Sequence, residues 1–133
     1  MRLAGDVEQA RLVVEADERW IAAFNSGDVE TLVSIYAPDV VLMPPDRPNV
    51  LGREAVAEWF REFFRDNSAR QSLVNEEAFA AGDWAWLRGR FELETTARAT
   101  GRTTTVTGKH LVIWRRDGGG AWLATRDIWN LAA

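Results

Sequence analysis

Apolar residues follow two different rhythms in the two halves of the chain. From Val7 to about Asn25 they fall at Val13, Ala16, Trp20, Ile21 and Phe24, the spacing that lays one stripe along a helix. Ser26-Gly27-Asp28 should stop this helix and start the next, with Gly27 suited to a left-handed C-terminal position and Asp28 to an N-cap. The second helix, VETLVSIYA, is expected to end before Pro38, and DVVLM (39–43) reads as a strand closed by the proline loop PPDRP. A third helix begins near Gly52, with Val56, Trp59, Phe60 and Phe63 at helical spacing, and runs out into DNSAR at 66–70.

Beyond that point the period changes to two. AAGD (80–83), ATGR (99–102) and DGGG (117–120) are turn signals dividing residues 71–131 into four antiparallel strands, roughly 71–79, 84–97, 103–116 and 121–131. Helices first and a meander afterwards make one α+β domain over residues 1–133, with a curved sheet wrapping the helices. Within 84–97, Ala85, Leu87, Gly89, Phe91 and Leu93 form the set expected to face the helices. Trp84, Trp86 and Arg88 share the outer face, where two Trp on a charged background suggest a subunit interface. The simpler alternative is an aromatic sheet surface partly covered by Arg stems.

The last hairpin sets the register of the chain's only histidine. A four-residue turn over Asp117–Gly120 would place Trp114 opposite Leu123, Val112 opposite Thr125, His110 opposite Asp127 and Gly108 opposite Trp129, all on the inward face. His110 and Asp127 would then be cross-strand neighbours about 4.5–5.5 Å apart at Cβ, within reach of an imidazole–carboxylate hydrogen bond. A turn of three or five residues would move the partner by one place.

Composition narrows the chemistry. Seven Trp in 133 residues point to an aromatic core, a ligand cavity or a partner surface. A net charge of −4 with interspersed signs lacks the basic stripe of a nucleic-acid surface. With no Cys there is no thiol nucleophile or Cys-type zinc site, and a single His precludes a multi-His centre. No leader-like or bilayer-length apolar run is visible, so a cytoplasmic protein without membrane contact is expected. No motif implies a cofactor or a metal; GGG at 118–120 sits in a hairpin, not before a helix. Glu15, Asp17 and Glu18 on the first helix are expected in solvent, and Asp46 and Arg47 belong to a proline loop placed to rim a cavity mouth.

The segments FNSGDVETLVSIYAPDVVLMPP, LGREAVAEWFREFF, GDWAWLRGRFEL and GKHLVIWRRDGGGAWLATRDIWN, taken in order, resemble the NTF2-like superfamily and, more narrowly, its SnoaL-like and ketosteroid-isomerase-like members. The resemblance implies a cone in which a bent sheet encloses three helices and an apolar cavity, commonly paired as a homodimer. It also implies where steroid isomerase groups would stand. The helix Tyr falls on Trp20, the strand-end base on Pro44 beside Met43, and the sheet Asp on Val112, so none of the three is kept.

What the cavity is expected to hold instead is His110 and Asp127 on the floor with Thr125 beside them. The walls would come from Trp20, Met43, Trp59, Phe60, Phe63 and Phe91, with Val112, Trp114 and Trp129 from the final hairpin. Such a pair is either a structural hydrogen bond between strands or an acid/base, His110 carrying the proton and Asp127 orienting it. Two functions follow. One is an enzyme acting without a cofactor, by proton transfer, on a small hydrophobic carbonyl compound. The other is a non-enzymatic ligand-binding or dimeric association module.

Overall fold

The computed structural model describes residues 1–132. Helix α1 (Val7–Ser26) starts at Asp6, whose carboxylate accepts from the Gln9 amide, and ends at Gly27 with φ 68°. Asp28 then caps α2 (Val29–Ser34) by accepting from the Thr31 amide at 3.1 Å. Both roles are those the SGD stretch implies. Removing the cap in Asp28→Ala should lower the midpoint in thermal or urea unfolding.

Helix α2 is shorter than its periodicity suggests. Ile35 closes it and Tyr36 already opens a strand, because the Ile35 carbonyl is taken by the Ala124 amide of the sheet. The third helix, α3 (Arg53–Asp66), begins just after Gly52.

Seven strands form one sheet, β1 (Arg2–Gly5), β2 (Tyr36–Met43), β3 (Val50–Leu51), β4 (Asn67–Ala81), β5 (Trp84–Ala97), β6 (Thr103–Arg116) and β7 (Trp122–Leu131). Their spatial order is β1-β4-β5-β6-β7-β2-β3. The meander β4–β7 is antiparallel as expected, but β1 joins β4 and β2 joins β7 in parallel, so the sheet is mixed at its margins. The short strands β1 and β3 leave too little sequence for a period to show. Helix α1 packs across β4, β5 and β7, and its Val13, Ala16, Ala23 and Phe24 belong to one buried core with Ala78, Ala80, Leu87 and Trp114. In β5 the alternation holds, with Ala85, Leu87 and Phe91 buried and Trp84 53% exposed.

The final hairpin departs from the four-residue turn. Asp117–Ala121 form a five-residue turn held by Asp117 Oδ1, which accepts from the Gly119 and Ala121 amides. Arg116 therefore opposes Trp122 and Trp114 opposes Ala124. A bulge at Thr125 then moves the register by one more place, so Val112 opposes Asp127 and His110 opposes Trp129. Two one-residue shifts restore the parity, and Asp127 still faces inward. Its neighbour across the ladder, however, is Val112 and not His110, which lies on the diagonal at a spacing of roughly 7–8 Å. Between the turn and the bulge the inward set is Trp122 and Ala124, not Leu123, and Thr125 is the buried bulge residue.

Candidate active site in the sheet cavity

Between the concave face of the sheet and the helices lies a cavity of about 180 Å³. Its walls include Phe24, Trp59, Phe60 and Phe63 from the helices and Phe91, Val112, Trp114 and Trp129 from the strands. The rings interlock, with Trp20 stacked on Phe24 at 5.4 Å and Tyr36 on Phe60 at 6.3 Å, so the wall is apolar and firmly set. The proline loop reaches its edge where the Arg47 guanidinium lies 5.9 Å over Trp59. Among the described residues no Arg or Lys lines the cavity, and the ionisable groups there are Asp17, Tyr36, His110 and Asp127.

Two hydrogen-bonded chains cross this wall. In the first, Trp20 Nε1–H donates to Tyr36 Oη at 2.9 Å and Tyr36 O–H donates to Asp127 Oδ2 at 3.3 Å. Tyr36 is 1% exposed, and its position is fixed through its backbone, where Arg53 of α3 donates to its carbonyl. Burial and the adjacent Asp127 carboxyl hold the Tyr36 phenol well above its ordinary value, so it remains a donor. Asp127 keeps some accessible surface, and it lines the cavity wall. Burial, with Asp17 nearby adding to it, pushes its carboxyl up to about 7 against the lowering effect of the Tyr36 bond. A carboxyl poised there exchanges a proton at neutral pH.

In the second chain, Asn75 Nδ2–H donates to Asp17 Oδ2 at 2.8 Å, and Asn75 Oδ1 faces His110 Nε2 at 3.3 Å. With the Asn75 amide so oriented, the hydrogen belongs on His110 Nε2, and Nδ1 is left as a buried lone pair without a partner. Burial lowers His110 to about 4, the Glu76 carboxylate opposing only in part, so the imidazole is neutral at pH 7. Burial likewise raises Asp17 to about 6, the Asn75 bond working against it and Glu18 with it. The bridge between β4 and β6 passes over β5 at Gly89, which pairs with both Asn75 and His110 and presents no side chain to block it.

Residues 18–123 match the SnoaL-like domain family. The chain belongs to that family. Among solved structures, this SnoaL-like protein resembles a ketosteroid isomerase-like protein from Erwinia carotovora atroseptica, with 27% identity over 95% of this chain and 98% of that one and a TM-score of 0.88. A conserved protein from Planctomyces limnophilus aligns at 24% identity, covering 94% and 97% of the two chains, with a TM-score of 0.83. An NTF2-like superfamily protein from Salmonella enterica serovar Typhimurium gives 16% identity, 93% and 91% coverage and a TM-score of 0.83. No curated protein matches the sequence. The NTF2-like fold with three helices against a curved sheet is thereby shown.

Most of the expected lining residues of this SnoaL-like chain do line the cavity: Trp20, Trp59, Phe60, Phe63, Phe91, Val112, Trp114 and Trp129, together with His110 and Asp127. Two do not. Met43 alternates to the other side of β2 and Leu42 takes the cavity position. Thr125 sits at the bulge, where its hydroxyl donates to the Ile113 carbonyl at 3.1 Å. The expected His110–Asp127 hydrogen bond is not formed. Each residue bonds a different partner, and His110 is shifted down by burial instead of up by a carboxylate.

Asp17 corrects the expectation of a solvated helix face, being 5% exposed. Tyr36, which lines the cavity, and Asn75, which contacts Asp17 and His110 behind it, are groups the sequence reading missed. The signal for Asp17 was present, since it lies four residues after Val13 and three before Trp20, within the apolar stripe. Among the described residues no three of His, Cys, Asp or Glu gather into a metal-holding group, and no helix is long and apolar enough to cross a membrane.

Proposed function

We propose that this SnoaL-like protein is a proton-transfer enzyme for a small, neutral, apolar carbonyl compound, with Asp127 as the acid/base. The observation that carries the reading is the Asp127 carboxyl, facing an apolar cavity, hydrogen-bonded by Tyr36 and raised to about 7. A carboxyl that keeps its proton near neutral pH can donate to a carbonyl oxygen as negative charge develops there, and the apolar surroundings strengthen that bond. The absence of any cation in the wall argues for a neutral ligand, because a carboxylate or phosphate would lie against acidic groups unpaired. Bound ketone would accept from Asp127, while Tyr36, backed by Trp20, holds the carboxyl in place.

2-Tetralone, a neutral enolisable ketone that the aromatic wall could hold, provides the test. Its binding is read by Trp fluorescence, and its exchange of α-protons in D2O by proton NMR. Binding with accelerated exchange is the expected result; binding with exchange at the buffer rate would remove the enzyme reading and leave a ligand-binding protein.

The outer face of the sheet favours an association role beside this one. Phe79, Trp84, Trp86, Leu111 and Ile113 form a continuous apolar surface, with Phe79 and Trp86 stacked at 5.9 Å and Arg115 covering only one side of Trp84. Arg88 on the same face is held by Glu77 at 2.9 Å, which leaves the aromatic patch as the contact and Arg88 at its margin. A second copy of the chain is the proposed occupant. Sedimentation should give a dimer for the native chain and a monomer for Trp84→Ala with Trp86→Ala. A native monomer at micromolar concentration would contradict the dimer.

A further inference from the structure

Asp17 is a buried carboxyl that the Asp127 reading leaves without a task. It enters the cavity from α1, while Asp127 enters from β7, so the two carboxyls approach a bound molecule from different elements. Its Oδ2 is taken by Asn75, but Oδ1 has no hydrogen-bond partner among the described residues. A carboxylate oxygen left free in an apolar wall is a base waiting for a proton.

We propose that Asp17 is the second proton-transfer group of the cavity, the base that removes a proton from carbon next to the carbonyl of an enolisable neutral ketone whose oxygen is hydrogen-bonded by Asp127. The inference rests on the reading of Asp127 given above. The step balances within the two carboxyls. Asp17 takes the carbon-bound proton, the C–H pair becomes the C=C of an enol, and the carbonyl π pair takes the proton of Asp127. Reversal at the same carbon gives exchange and reversal at a conjugated one gives isomerisation, with both carboxyls restored and nothing oxidised or reduced.

The electrostatic surroundings suit this division. Facing Asp17 are Glu18 on its own helix, Tyr36, Asn75, the neutral His110 flanked by Glu76, and Asp127, with no cation among the cavity-lining residues. At neutral pH the lower of the two raised carboxyls, Asp17 at about 6, is the one that has given up its proton, and Asp127 at about 7 still holds one for part of the time. His110 acts as a positioning residue. Its Nε2–H fixes the Asn75 carbonyl, which turns the amide NH2 toward Asp17 and leaves Oδ1 for the cavity.

The test follows α-proton exchange of 2-tetralone in the native chain, Asp17→Asn, Asp127→Asn and Asn75→Ala, with binding measured in each. Asp17→Asn should bind the ketone and lose about 100-fold or more in exchange rate. Because the Asn75 bond lowers Asp17, Asn75→Ala should move the acid limb of the pH–rate profile to higher pH, an effect that loss of packing alone would not produce. This second variant decides the matter if Asp17→Asn does not fold. Native-like exchange in Asp17→Asn, with exchange lost in Asp127→Asn, would overturn the role of Asp17 and leave that of Asp127 standing; an unmoved acid limb in Asn75→Ala would count equally against Asp17. A native chain that binds 2-tetralone without exchanging it would overturn both.

Discussion

Asp127→Asn is expected to lower proton transfer to a bound ketone by about 10²–10⁴-fold while leaving the fold and the cavity intact. The amide keeps the shape and can still accept from Tyr36, but it cannot surrender a proton. The same substitution should change how stability depends on pH. In the folded chain burial holds the Asp127 carboxyl up at about 7, against ~3.9 for a solvated aspartate, so below pH 4 both states are protonated and nothing is lost. Between about pH 4 and pH 7 the unfolded chain releases this proton while the folded one holds it, and stability falls. That difference corresponds to about 4 kcal/mol, fully lost above pH 7. Asp17, raised to about 6, acts in the same direction. Asp39, held down by the Arg115 guanidinium, acts in the opposite one, but it is exposed and screened. Thermal unfolding should therefore show a native midpoint markedly higher at pH 5 than at pH 8, and a smaller difference in Asp127→Asn. Equal midpoints in the native chain would contradict a buried, raised carboxyl.

Gly89→Ala is expected to be a strongly damaging small change in the sheet, costing about 3 kcal/mol or more. A Cβ at this position would lie 2.2 Å from the Val74 carbonyl oxygen and 3.0 Å from Asn75 Cα, and backbone cannot move aside as a side chain would. The close approach lies beside the irregularity of β4 between Asn75 and Glu77, so the strain would fall where Asn75 reaches toward His110. Urea unfolding should show the lost stability. The imidazole proton NMR signal of the chain's single histidine should shift as the Asn75 contact opens. A variant as stable as the native chain, with that signal unmoved, would mean that β4 and β5 are not so closely joined.

The parts of the fold written in long periods were legible in the sequence. Helix α1 with its Gly27 and Asp28 junction, α3, and the strands from Trp84 onward follow from spacing and turn residues, because many residues repeat the same signal. Tyr36 was not legible in this way. It sits in a helical-looking run, and only the Ala124 amide claiming the Ile35 carbonyl turns it into a strand. The partnership of His110 failed for a related reason. Register is set by the turn and any bulge, and neither the Asp117 side chain closing a five-residue turn nor the Thr125 bulge leaves a periodic trace. The two shifts added without changing parity, so the cavity wall was largely right while the pairing was wrong by two places. Asp17 shows the opposite case, a position whose period placed it in the interior although its charge suggested solvent.

The central claim, that two acidic side chains titrate near neutrality in an apolar cavity, is tested most directly by a carbon-13 NMR titration of the carboxyl groups of Asp127 and Asp17. The expected result is a midpoint near 7 for Asp127 and near 6 for Asp17, with the Asp127 midpoint moving down in Asp17→Asn because the neighbouring carboxylate is removed. Midpoints for both groups near the ~3.9 of a solvated aspartate, unchanged by the substitution, would place them in water and contradict the account.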